Sequence, residues 1–419
     1  MKKSIVVIAL LLASFTGVLA QDMKVQSAYS DMKNERLAYA KKNIDDALVH
    51  EKTKDDSKTF AYAGLIYAQI VEQSFNDKPS KTVKKQLKQI EEPIETICHQ
   101  GVEYLMKAIE MEQKENSHEY TKKAMDGLKY LCGVEAYYAG EFYNKATDYQ
   151  VAAQKWDKVI ELAKYCHYDD VLDNALYYQA DCYRMLKNTQ KELEIYRTMA
   201  KNNTKRPDVY VKIYAANKEA NDTTKALNAL KKGVRMTAND TTGANTILTT
   251  ELISAYLWAN NKTEANKLLQ EMEQKAGQNT DMLNGVGRIY GEMGDMTKAT
   301  EYYNKSLSIN KNQIDVYKGM GKMFFNVGLR EHKVADAIPL ENVTEYDNKM
   351  KEVYVLYEKA IPCYENALQM KDTDLESLNQ LRLIYSIFNA RTDVNAETKK
   401  AYQQKFVAYD TKLKQLTTK

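Results

Sequence analysis

Apolar and small residues recur along this chain at helical spacing, and the pattern is cleanest between Thr280 and Gln313. Leu283, Val286, Gly287 and Tyr290 form one run, and Ala299, Tyr303 and Ser306 form a second, with Gly294 between them. Steps of three, four and seven put each run on one face of an amphipathic helix. Gly287 and Ala299 are small enough for two antiparallel helices to approach closely, and the larger residues fill the space beside them. Gly294 relaxes the backbone where the first helix turns into the second. The segment predicts a helical hairpin.

The same frame recurs. Glu192 and Ala226 hold one position of it and lie 34 residues apart, as do Ala265 and Ala299. Upstream, Ala136, Ala139, Gly140, Tyr143, Ala152, Trp156 and Val159 fit one unit, and Leu176, Ala180, Tyr183, Glu192 and Tyr196 fit another, with Glu192 where a small residue is expected. Phe60, Ala63, Gly64 and Tyr67 begin a unit whose second helix, marked by Gly101, Leu105 and Ala108, follows an insertion from about Gln73 to Pro93. Tyr317, Met320, Gly321 and Phe324 begin another, and its second helix at Ala360, Tyr364 and Ala367 comes late, after a segment that includes Ala335 to Asn348. Leu378, Leu381 and Tyr385 open a final unit, closed by a lysine-rich helix that carries Ala401 and Ala408 and ends near Leu416. Ala40, Ile44 and Ala47 read as a second helix, whereas Gln21 to Asn34 fits a first helix poorly.

In this arrangement the chain resembles the tetratricopeptide repeat family, with Leu283, Val286, Gly287, Tyr290, Gly294, Ala299, Tyr303 and Ser306 at positions 4, 7, 8, 11, 15, 20, 24 and 27 of a 34-residue unit. The resemblance implies an all-α fold, a right-handed α-solenoid of about nine such helix pairs. It departs from the family in lacking the proline usual at position 32, and Pro362 falls inside a predicted helix, where it should kink the helix or mark a late start. The expected organisation is an irregular helical region at 21–132, a regular array at 133–313 and C-terminal units with an insertion and a capping helix at 314–419.

Family members bind along the face of their first helices, near positions 2, 5, 9, 12 and 13. Those positions hold Tyr137, Glu141, Tyr177, Asp181 and Arg184 in the earlier units and Arg288, Lys318, Lys322 and Phe325 in the later ones, so the face changes from tyrosine-rich and partly acidic to basic. Tyrosine and arginine dominate interface energetics, and the surface suits an extended segment or helix of a protein partner. The lysine and asparagine pattern with which chaperone-binding relatives clamp a C-terminal carboxylate is not reproduced at Asn284, Arg288 and Gly319.

The N-terminus changes the setting. Lys2 and Lys3 precede an apolar run from Ile5 to Val18, and Val18-Leu19-Ala20 predicts cleavage after Ala20. The chain is thus expected to be exported, as a periplasmic, outer-membrane associated or secreted protein, without stable insertion in the membrane. The formal charge of +3 loses Lys2 and Lys3 on processing, which offers no electrostatic reason for a nucleic-acid partner. Five cysteines (Cys98, Cys132, Cys166, Cys182, Cys363) show no CxxC spacing and read as buried small hydrophobes rather than a disulfide framework.

Five histidines are scattered, without a pairing suited to zinc, and Gly285, Gly287 and Gly291 have neither the spacing nor the preceding strand of a dinucleotide loop. No nucleophile motif or phosphate loop appears, so no catalytic residue, cofactor or metal is expected. Asp222-Thr223-Thr224 and Asp240-Thr241-Thr242 resemble a short O-glycosylation acceptor and equally read as helix caps. The expected function is an envelope scaffold that holds protein partners, in outer-membrane assembly, secretion or surface machinery. The alternative is a helical carbohydrate-binding protein that stacks sugars on tyrosine, although Trp156 and Trp258 both fall in the helix-packing pattern.

Overall fold

The computed structural model describes residues 23–145 and 148–417, so the expected signal peptide lies outside them. Among the described residues every regular element is a helix. They fall into two compact units that meet at Thr204 and Lys205. The first holds α1 (23–33), α2 (Leu37–Leu48), α3 (Ser57–Ser74), α4 (Lys81–Leu87), α5 (Ile94–Glu115), α6 (Thr121–Asn144), α7 (Tyr149–Tyr165), α8 (Asp169–Met185) and α9 (Thr189–Lys201). The second holds α10 (Pro207–Glu219), α11 (Thr223–Met236), α12 (Ala244–Trp258), α13 (Lys262–Ala276), α14 (Thr280–Met293), α15 (Met296–Ile309), α16 (Ile314–Asp336), α17 (Val343–Met370), α18 (Leu375–Asn389) and α19 (Ala396–Thr417).

Within each unit, helices pack on their neighbours in the chain, and short turns make those neighbours antiparallel. The described helices form nine pairs, α1/α2, α3/α5, α6/α7, α8/α9, α10/α11, α12/α13, α14/α15, α16/α17 and α18/α19, with α4 outside them. Segment 23–33, weak in sequence, is a true first helix: Val25, Ala28 and Met32 are buried, Lys24 reaches Asp46 at 3.0 Å and Asn43 donates to Asp31 at 3.0 Å.

The repeat frame has a clear local cause. Asp148, Asn188, Asp222, Asn261, Asn279, Asp295 and Asp374 each precede a helix and accept a hydrogen bond from a backbone N–H of its first turn. Asp222 thereby caps α11, while Asp240 accepts from the N–H groups of Thr242 and Ala244 ahead of α12. Inside the pairs, position 15 enters the left-handed region: Lys187, Asn221, Asn260 and Gly294 have φ of 56°, 54°, 55° and 86°. Helix-ending geometry at that position releases the chain into the second helix.

Close approach at position 8 is visible at Gly287, where an added Cβ would lie 3.0 Å from the Tyr303 ring, and at Gly64, where it would lie 2.3 Å from Leu105 Cγ. The pair α3/α5 thus keeps the repeat interface across its insertion. That insertion carries α4, which turns back onto α2: Gln86 accepts from the Ala38 N–H at 3.1 Å, and Lys41 meets Glu92 at 2.7 Å. The later insertion behaves differently. No separate segment forms; α16 and α17 both lengthen, and Ala335, Met350, Val353 and Tyr357 build a core for the extension with Phe325. Pro362 lies well within α17, so it does not mark a late start.

Residues 132 and 133 lie inside α6, whose first half buries Ala124, Leu128 and Leu131 outside the repeat frame. In α19, Ala401 and Ala408 are exposed, and Tyr402, Phe406 and Tyr409 pack against the cluster of Tyr385 and Phe388 instead. All five cysteines are buried and free, and burial pushes the Cys132 thiol up to about 12 and the Cys363 thiol up to about 11. Among the described residues no helix is long and apolar enough to cross a membrane.

Candidate partner-binding recesses

The faces of the first helices carry several recesses, and one in each unit is floored by a side chain of a second helix; another, between α12, α14 and α16 around Thr250, Asn284 and Asp315, has no such floor. In the second unit, α14, α15 and α16 enclose about 270 Å³. Its floor is the side chain of Tyr303 from α15, which is 1% exposed and lies against Gly287 and Gly319. A Cβ at Gly319 would lie 3.0 Å from the Tyr303 hydroxyl oxygen, so glycine is what leaves that oxygen uncovered by α16. The hydroxyl has no hydrogen-bond partner among the described residues. Burial raises its pKa, an effect Arg288 opposes and Glu292 reinforces.

The rim carries Arg288, Glu292, Lys322, Asn326 and Arg330. Arg288 is engaged, at 2.9 Å from Glu251 and 3.6 Å from Glu292. Lys322 and Arg330 are exposed and form no ion pair among the described residues. Lys318 does not join them, because its ammonium lies 3.1 Å from Asp374 and 2.8 Å from Glu376 and ties α16 to the start of α18. Phe325 is 6% exposed and packs on Tyr357, so it belongs to the core and not to the binding face; the extended hairpin covers the side of α16 that carries position 12.

In the first unit, α6, α7 and α8 enclose about 360 Å³. The floor is again a residue of the second helix, Trp156, 3% exposed, with no hydrogen-bond partner for its indole N–H. Tyr178 stacks on it with centroids 5.2 Å apart, and Tyr143 closes on Tyr178 at 5.7 Å. Tyr137 stands half exposed at the rim, beside Glu141, which has no ion-pair partner among the described residues. Asp181 accepts from the Tyr143 hydroxyl and pairs with Arg184 next to this recess, and Tyr177 sets its ring edge toward Tyr178.

The structure therefore brings Tyr137 and Glu141 together over one floor and Arg288 and Lys322 together over another. Sequence reasoning missed both floors, Trp156 and Tyr303, because position 24 was assigned to packing alone. It also missed Tyr178, Gly319 and Arg330, which occupy positions outside those expected to face a partner. The indole and hydroxyl that such a buried position carries are the available signal, since a buried donor normally has a partner. Trp258, expected to be packed, is 37% exposed, with the Lys218 ammonium 5.1 Å from its ring.

A further recess between α5, α6 and α7 holds His99, whose Nδ1 is 3.5 Å from Glu135, and burial holds the Glu135 carboxyl above its ordinary range. Among the described residues no group of three or more His, Cys, Asp or Glu side chains is placed to hold a metal ion.

A family model, the tetratricopeptide repeat, matches residues 280–313, the segment that forms α14 and α15. No curated protein matches the sequence. Among solved structures, the chain is similar to a tetratricopeptide repeat protein from Parabacteroides merdae at 13% identity, with 66% of this chain and 98% of that one covered and a TM-score of 0.36. It is similar to pilF of Pseudomonas aeruginosa at 16% identity, covering 58% and 91%, with a TM-score of 0.31. The human IFIT1 dimer with m7Gppp-AAAA is matched at 14% identity, covering 83% and 73%, with a TM-score of 0.38. None of these values bears on what this chain binds.

Proposed function

We propose that this chain, whose residues 280–313 match the tetratricopeptide repeat model, works as an exported scaffold which holds protein partners against the faces of its first helices. The carrying observation is that three of the four position-9 residues expected to face a partner line a recess, Glu141 in the first unit and Arg288 and Lys322 in the second, while the fourth, Asp181, is taken up by Arg184 and Tyr143. Those recesses have buried floors and polar or aromatic rims, the composition of sites where a few anchor side chains supply most of the binding energy. The pattern of Lys2 to Ala20 supports export, and the partners in this reading are envelope proteins of outer-membrane assembly, secretion or surface machinery.

A photo-activated cross-linking residue placed at Tyr137 or Lys322, in cells and in the native envelope, tests the reading. It should capture a small, repeatable set of envelope proteins that a probe at Lys305, on the exposed side of α15, does not. Equal capture from all three positions, or recovery of the chain alone, would remove the case for a binding face. N-terminal sequencing of the exported form should begin at Gln21.

The aromatic recess favours one other reading. Tyr137 and Tyr178 are 50% and 41% exposed above Trp156, and exposed rings of this kind stack on sugars. Saturable binding to one member of a glycan panel, lost with Tyr178→Ala, would favour a carbohydrate ligand over a protein.

A further inference from the structure

The recess over Tyr303 combines features that packing alone does not require. Its deepest polar atom is a hydroxyl on a side chain that is 1% exposed, and that hydroxyl makes no hydrogen bond among the described residues. That hydroxyl is open to the recess and free to donate a hydrogen bond to what enters it. Gly319 keeps the oxygen uncovered, where any larger residue would press on it. Above it stand two cations with no ion-pair partner among the described residues, Lys322 and Arg330, and a neutral donor and acceptor, Asn326. Arg288 is shared between Glu251 and Glu292, and it steadies the far wall.

We propose that this recess binds a carboxylate, the side chain of an aspartate or glutamate in an extended segment of a partner protein. The proposal rests on the scaffold reading above and names the chemistry that the basic recess selects. Two oxygens of one carboxylate match the donors: one can accept from the Tyr303 hydroxyl, the other from Lys322 or Arg330. The site fits a monoanion better than a phosphate dianion. Glu292 sits on the rim and repels a second negative charge, and Gly291, Gly319 and Lys322 lie within helices, so no helix N-terminus points its free N–H groups at the ligand. An extended segment suits a recess open on the face of successive first helices, because alternate side chains of such a segment project into the surface beneath it.

Met323 lines the recess and supplies a probe. In the full chain labelled with 13C at methionine methyls, titration with acetyl-Ala-Glu-Ala-amide should shift the Met323 resonance saturably in the millimolar range, while acetyl-Ala-Gln-Ala-amide should not. Tyr303→Phe, which removes only the oxygen, should weaken the glutamate peptide about fivefold, and Lys322→Gln with Arg330→Gln should weaken it at least tenfold. Equal response to both peptides, or none to either at tens of millimolar, would overturn the proposal. Inorganic phosphate that moves Met323 more strongly than the glutamate peptide would also overturn it, in favour of a free-anion site. Cross-links captured from position 322 while the unsubstituted chain fails to respond to the glutamate peptide would leave the scaffold reading standing and remove only the carboxylate.

Discussion

The two recesses occupy the same place in the repeat and have opposite linings. Each is floored by the position-24 residue of a second helix, Trp156 in one and Tyr303 in the other, and each floor carries a polar hydrogen without a partner among the described residues. At position 9 the first has Glu141 and the second Arg288; at position 6 the first has Tyr178 and the second Gly319. The packing rules of the repeat thus fix where a recess forms, and a handful of side chains fix what it accepts. A scaffold can change its ligand chemistry from unit to unit without altering the helix pairs.

Removing a floor should break the comparison most severely. Trp156→Ala deletes a large buried side chain with its stacking partner Tyr178, and should cost about 3–5 kcal/mol in urea unfolding of the chain. Position 8 then separates the two regions by sign. A Cβ at Gly287 would press on Tyr303 at 3.0 Å, whereas one at Gly140 would meet nothing within 4 Å. Gly287→Ala should destabilise by about 1–3 kcal/mol through overpacking, and Gly140→Ala should stabilise by up to about 1 kcal/mol through helix propensity; equal effects would show that the two first helices are seated alike after all.

A smaller effect tests how the basic recess is held. Asp374 is disfavoured as a charge by burial, yet the Ser377 N–H and Lys318 hold its carboxyl below the ordinary carboxylate range. Asp374→Ala should cost about 1 kcal/mol at neutral pH as a lost cap. Because the folded pKa is the lower one, that contribution is present above the unfolded value near 3.9 and disappears as pH falls through the folded value. The stability gap between the parent and Asp374→Ala should therefore close on acidification below about pH 4. Smallest of all, Tyr303→Phe should change the unfolding free energy in urea by less than about 1 kcal/mol, since no hydrogen bond is lost, and a larger drop would mean that the hydroxyl is structural.

Much of the fold was legible in the sequence. Alternating faces and the 34-residue spacing identified the helix pairs, and Gly287, Gly294 and Ala299 do in the structure what their size and backbone freedom suggested. The left-handed turn at Lys187 was not legible, since lysine has no special preference for that geometry and the position is set by the helices on either side. The site was legible only in part. Tyr137, Glu141, Arg288 and Lys322, chosen by register, line the two recesses, but Lys318 and Phe325 share that register and are taken up by Asp374, Glu376 and the extended hairpin. Register says which way a side chain points from its helix; it does not say whether a neighbour from an insertion or the next pair already occupies the space.

The pairing of helices with their neighbours in the chain has a mechanical consequence. Where each element is held chiefly by the elements before and after it, resistance to pulling is local, and the chain under tension from its two ends should yield in steps of one or two helix pairs, beginning at the outermost. The α3/α5 pair should yield late among those of its unit, because α4 and Glu92 tie its insertion back to α2, so that loosening one pair first requires breaking contacts of another. An insertion that looks like an interruption of the repeat would then serve as its clasp.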